Sequence, residues 1–156
     1  MLEKITLGDR EIAFKSSAAT NILFKRAFKE DITVLLQSYT KNIKELQTMQ
    51  KNITDLRADT TKSQAEILEA MGDIMQSEVY LKAASFQNDT LPQLAYIMYL
   101  EANESIDTIF TKLNEVNYLT WLLTINQEEL TQVTTEVLRI WRAGAQTTSK
   151  PKNANG

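Results

Sequence analysis

MLEKITLGDREIAFKSSAATNILFKRAFKED, residues 1–31, holds an alternating strand pattern that runs straight into a short and unusually apolar helix. Folding it about Gly8-Asp9 pairs Leu7 with Arg10, Ile5 with Ile12 and Glu3 with Phe14, so Ile5, Leu7, Ile12 and Phe14 share one face. Lys4, Thr6, Glu11, Ala13 and Lys15 take the other. Glycine first in the loop suits a type II′ turn, because it adopts positive φ without steric cost and the turn's twist matches that of the strands. A lone hairpin is marginal in water, so its apolar face needs a cover, and the next element is expected to supply one.

Ser16 or Ser17 can cap that element by accepting a bond from an unpaired backbone N–H. On a helical wheel Ala19, Ile22, Leu23, Phe24, Ala27 and Phe28 spread over more than half the circumference, leaving Asn21, Lys25 and Lys29 as a narrow polar stripe. Such a helix is expected to be covered on two sides, by the hairpin on one and by other helices or a partner protein on the other. Leu23, Phe24 and Phe28 are the candidate protein-contact residues.

The chain's 156 residues suit one domain, able to bury about 70% of its unfolded surface. The expected division is a single domain over 1–145 and a polar tail over 146–156. Cysteine and histidine are both absent, which removes disulfides, thiolate sites, Ser-His and Cys-His nucleophile pairs and histidine-bearing metal sites. No cofactor is expected. Seventeen Lys and Arg stand against twenty Asp and Glu, a net charge of −3. The densest positive cluster, Lys25, Arg26 and Lys29, is followed at once by Glu30 and Asp31, so no nucleic-acid surface is expected. No stretch reads as a signal peptide or membrane span, and no membrane contact is expected.

Past Asp31, a candidate cap, Leu35, Leu36, Tyr39, Ile43, Leu46, Met49, Ile53 and Leu56 recur at steps of three and four and predict a long amphipathic helix. Asp59–Ser63 breaks it. A third helix follows, carrying Ile67, Leu68, Met71, Ile74, Met75, Val79, Leu81 and Phe86, with Gly72 as its weak point. Residues 38–65 are read as a helical hairpin that extends from the core. Asn88-Asp89-Thr90 ends the region, and Pro92 fits the first turn of a fourth, strongly apolar helix with Leu94, Ile97, Met98 and Leu100. Ser105 caps a turn over 106–113. Residues 115–125, with Val116, Leu119, Trp121, Leu122 and Leu123, read as buried, and a last helix opens at Asn126-Gln127-Glu128-Glu129 and ends at Gly144. The fold class is mainly α (α+β): a short N-terminal β-hairpin packed on a compact bundle of about five to six helices.

The carboxylate pairs Glu66/Glu69, Glu101/Glu104 and Glu128/Glu129 fall on helix surfaces or starts, as acidic helical proteins routinely produce, and no phosphate loop or dinucleotide fingerprint occurs. No enzyme is expected, and catalytic and metal-ligating residues are none. Met49, Met71, Met75, Met98, Trp121 and Trp141 sit at core-like spacings, although adaptable methionines also mark surfaces that hold helical clients.

IAFKSSAATNILFKRAFKEDI, LPQLAYIMYLEANESI, NYLTWLL and VLRIWRAGAQTTSKPK, in that order, resemble the tail assembly chaperones of long-tailed phages infecting Gram-positive bacteria. The resemblance covers both ends and leaves 38–85 weakly constrained. Phe28-Lys29-Glu30-Asp31 looks like that family's Phe-Gly-x-Asp turn, with Lys29 where glycine is usual. The resemblance implies a non-enzymatic helper in the host bacterial cytoplasm, absent from the mature virion. It would bind the tape measure protein and keep it soluble during tail morphogenesis. It also implies a longer form, made by ribosomal frameshifting, that recruits the tail tube protein, and a homo-oligomer is compatible with it. The alternatives are a small helical structural or adaptor protein of a virion or bacterial cell, and a carboxylate-only enzyme.

Overall fold

The computed structural model describes residues 1–147, with side chains described through Gly144; the polar tail lies almost wholly outside the described residues. Strands β1 (Leu2–Leu7) and β2 (Arg10–Lys15) form the antiparallel hairpin in the expected register, Ile5 opposite Ile12 and Glu3 opposite Phe14. Gly8 has φ +65° and Asp9 does not share the positive sign, as a type II′ turn requires and a type I′ turn forbids. Then come α1 (Thr20–Phe28), α2 (Ile32–Ala58), α3 (Gln64–Gln76), α4 (Glu78–Ser85), a π-helical turn (Phe86–Thr90), α5 (Leu91–Asn103), α6 (Ile106–Lys112), α7 (Glu115–Leu122) and α8 (Gln127–Thr147). The protein is mainly α with a short hairpin. Among the described residues no helix is long and apolar enough to cross a membrane.

Two compact units make up the chain: Met1–Ile32 together with the residues from Asp89 onward, and Thr33–Asn88. In the first, α5 is the axis. Leu94, Ala95, Ile97 and Met98 are completely buried, because β2, α8, α1, α6 and α7 all pack against this one helix. The hairpin's apolar face, through Leu7 and Phe14, is covered by α5 and α8 and not chiefly by α1, which packs on α5 instead. Adjacency in sequence therefore misassigned the cover. Val133, Val137 and Ile140 give α8 a buried stripe at helical spacing. Two ion pairs flank it, Arg10 with Glu129 and Arg139 with Glu3, and Asn103 Nδ2 donates to Ala13 O to tie α5 to the edge of β2.

Helix α1 starts later than the serines suggested. Ser17 Oγ accepts from Ala19 N, while Glu101 of α5 accepts from both Ser17 Oγ and Thr20 Oγ1, placing a carboxylate at the positive end of α1. Ser16 is buried and donates to Trp141 O. Helix α8 continues through Gly144, against the expected stop there. A Cβ on that residue would lie 2.6 Å from Ser16 Oγ, so the glycine serves close packing and not termination.

The second unit is a helical pair in which α2 faces α3 and α4. Leu46 and Ile53 are buried on α2, and Tyr39 stacks on Phe86 at 4.2 Å between centroids. The expected single third helix is two. The break falls at Ser77, in extended conformation with ψ 147°, and not at Gly72. Ser77 Oγ donates to Ile74 O and accepts from Tyr80 N, so one side chain ends α3 and starts α4. Nor does Asn88-Asp89-Thr90 end the helical path. The π turn leads into α5, whose first turn holds Pro92 where its missing N–H leaves no bond unmade.

Candidate protein-binding surfaces

The residues proposed for partner contact turn out to be largely interior. Leu23 is 3% exposed and Phe24 0%, both held by the packing of α1 on α5. Phe28 is half-buried, with its ring 5.2 Å from Phe24 and 5.4 Å edge-on to Tyr118. Most of the apolar surface of α1 is therefore consumed within its own unit. An aspartate at Phe24 would put an unpaired charge into a core, testing folding and not binding. Of the apolar set read for that helix, Ala19 and Ile22 are left open.

The same aromatic cluster continues through Tyr96, Tyr118 and Trp121, with Tyr96 ring contacts at 5.5 Å to each of the others. Burial pushes both phenols up to about 12, helped by Tyr99 and Glu104 for Tyr96 and by Asp89 for Tyr118. Tyr96 Oη donates to Lys112 O at 2.7 Å, so this is a satisfied core tyrosine. Of the carboxylates weighed for chemistry, Glu66 pairs with Lys62, Glu104 with Lys112 and Glu129 with Arg10, and Glu101 accepts from Ser17 and Thr20. Among the described residues no group of three or more acids is placed to hold a metal ion.

Each unit also carries an open apolar surface. In the second unit α3 carries Ile67, Leu68, Met71, Ile74 and Met75, and not one of its residues is buried. With α2 and α4 it lines an open groove of about 460 Å³ whose floor is Leu46, Ile53, Met71 and Ile74. Met75, 57% exposed, edges it opposite Gln50 and Thr54. Arg57 stands at one end, donating to Met71 Sδ at 3.4 Å. Two of the methionines weighed as core thus border open space, whereas Met98, Trp121 and Trp141 are core.

In the first unit, α7 was expected to be buried throughout. It buries Tyr118 and Trp121, but Val116 is 74% exposed, Leu119 49% and Leu123 89%. These three stand at i, i+3 and i+7 on one face, and Glu115 lies on the same face as Leu119. The signal was present in the sequence as apolar residues on both sides of a helix of only eight residues, too short to be enclosed on both. On α6, Ile106 and Phe110 are also open, with the Arg26 guanidinium 5.0 Å above the Phe110 ring.

In comparisons with known proteins, the chain matches no family model, no curated protein and no solved structure.

Proposed function

We propose that this protein is a tail assembly chaperone that binds the tape measure protein of a long-tailed phage and keeps it soluble until the tail tube forms around it. The observation that carries the reading is the groove between α2 and α3, a three-turn apolar trough edged by methionines and lined by a helix with no buried residue. A trough of that shape takes one face of an amphipathic helix through anchors at i, i+3 or i+4 and i+7. Methionine suits it to many related helices, because the unbranched thioether side chain repacks at low cost. A tape measure protein offers such helices repeatedly, so several copies of a weak binder can coat it and still be shed when tube subunits arrive. The order of hydrophobic segments at both ends of the chain, which resembles that family, supports the same reading. A longer frameshifted form that recruits tail tube subunits, a non-enzymatic role and the host cytoplasm as its place of action belong to the proposal.

Affinity capture of the chain from cells assembling particles, set against the composition of purified particles, tests it. The tape measure protein should co-purify from the lysate, and the chain should be missing from the particles. A chain found stoichiometrically in purified particles, with no tape measure protein captured beforehand, would make it a helical structural component instead.

A further inference from the structure

A smaller cavity of about 190 Å³ lies in the first unit between α5 and α7, and its walls are aromatic. Trp121 is centred 5.5 Å from Tyr96 and 5.6 Å from Tyr99, and Lys112, Asn117 and Thr120 add the polar part of the lining. Sites that enclose a whole small molecule run to roughly 300–1,000 Å³, so this one suits a single ring of a longer ligand lying across the surface. Its hydrogen-bonding groups are left over from the fold. Trp141 Nε1 donates to Asn21 Oδ1, whereas Trp121 Nε1 has no acceptor among the described residues although Trp121 is only 7% exposed. No buried side-chain donor in the described residues goes unsatisfied, so that N–H opens to solvent. The Asn117 side-chain amide and the Tyr99 hydroxyl likewise have no hydrogen-bond partner there.

The chemistry of the lining narrows what can enter. A cage of three aromatic rings ordinarily attracts a cation, but the one ionised group in this lining is Lys112, tied to Glu104, and a second cation beside it is repelled. A sugar needs acceptors for its hydroxyls, and no carboxylate lines the cavity. What remains is a ligand with an apolar ring and carbonyl acceptors. A polyproline II segment has both, since its carbonyls make no internal bonds and its proline rings bring no N–H. We propose that this cavity docks an extended, proline-containing segment of a partner protein. One ring packs against Tyr99 and Trp121, and the neighbouring carbonyls accept from Trp121 Nε1, Asn117 Nδ2 and Tyr99 Oη. Val116 and Leu123, both open to water, stand one helical turn either side of Thr120 at the rim, so further rings at the three-residue repeat have apolar surface to lie on. The site is in a different unit from the α2–α3 groove and does not depend on the client proposed for that groove.

Nuclear magnetic resonance of the isotope-labelled full chain, titrated with an acetylated decaproline peptide, tests this. The chain has two tryptophans and hence two indole N–H signals, assigned by the loss of one in Trp121→Phe. The Trp121 signal should move saturably with peptide while that of Trp141, already bonded to Asn21, stays in place. Asn117→Ala and Tyr99→Phe should each raise Kd about threefold to tenfold, the loss of one hydrogen bond, with the Trp141 signal reporting an intact fold. Thr120→Arg, at an exposed position on the rim, should block binding. A glycine-serine peptide of equal length and a cello-oligosaccharide should leave both signals unmoved. Decaproline that moves neither signal at millimolar concentration, either control ligand moving Trp121 as far as decaproline does, or variants that bind like the wild type would each overturn the proposal.

Discussion

A methyl group at Gly144 would lie 2.6 Å from Ser16 Oγ and 2.8 Å from Ser16 Cβ, on a segment where Ser16 and Met1 are bonded backbone to backbone and cannot easily retreat. Gly144→Ala should therefore cost about 1–3 kcal/mol in chemical denaturation, as overpacking of a close contact does. Adding Ser16→Gly should return part of that loss, a coupling that a double-mutant cycle reads directly. Lys29 presents the opposite case. It closes α1 at φ 64° and ψ 16°, donating its N–H to Lys25 O, and it is the one non-glycine residue with positive φ among those described. A left-handed conformation costs an L-residue about 1–2 kcal/mol, and glycine's extra unfolded-state freedom offsets part of the relief. Lys29→Gly should therefore stabilise the fold by about 0.5–1 kcal/mol, measured as a raised denaturation midpoint. This is the position at which the sequence departs from the Phe-Gly-x-Asp turn it resembles.

Among the elements, the α3–α4 break is the most dependent on a single side chain. Ser77→Ala removes both the bond to Ile74 O and the cap on Tyr80 N, and should cost the second unit about 1 kcal/mol, read as a lower midpoint for that unit's unfolding. The break was hidden in the sequence because Ile74, Met75, Val79 and Leu81 continue the helical spacing straight across it, and a side chain that competes for backbone bonds leaves no mark on hydrophobic periodicity. Where local chemistry decides, reading was straightforward. The hairpin register followed from alternation and a glycine, and Ser63, Ser105 and Asn126, where the sequence places helix starts, each accept from a backbone N–H three residues on; Asn114 does the same for α7, a cap the sequence reading did not name. Where partners decide, it was not. Nothing in residues 16–31 says that α5 and α8, distant in sequence, will outcompete α1 for the hairpin. The misplacement of Leu23 and Phe24 on an open surface followed from that one error, and the exposed stripe of α7 was missed for the converse reason.

Within the first unit, two ion pairs set the register of α8 on the hairpin. Glu129 and Arg139 are ten residues apart on a helix, about 15 Å, while Arg10 and Glu3 are separated by about 14 Å along the strands, so both pairs close in a single alignment. The Arg139 bond holds the Glu3 carboxyl below its ordinary range, but both groups are solvated and the stabilisation is small. The buried phenols matter more. Tyr96 and Tyr118 keep their protons up to about pH 12, whereas an unfolded tyrosine releases its proton near 10.0. The folded state binds more protons in that interval, so this contribution to stability is complete below pH 10 and is lost as pH rises toward 12. Thermal midpoints should be level up to about pH 9 and then fall, and Tyr118→Phe should flatten part of the fall. Above these details stands the central claim, that the chain shields an aggregation-prone helical client. The most direct measurement is the soluble fraction of the tape measure protein expressed with and without this chain. Co-expression should move it from pellet to supernatant in complex with several copies of the chain, and Met75→Asp, which charges the groove edge at an exposed site, should reverse the gain. A tape measure protein equally insoluble in the presence of the wild-type chain would contradict the account.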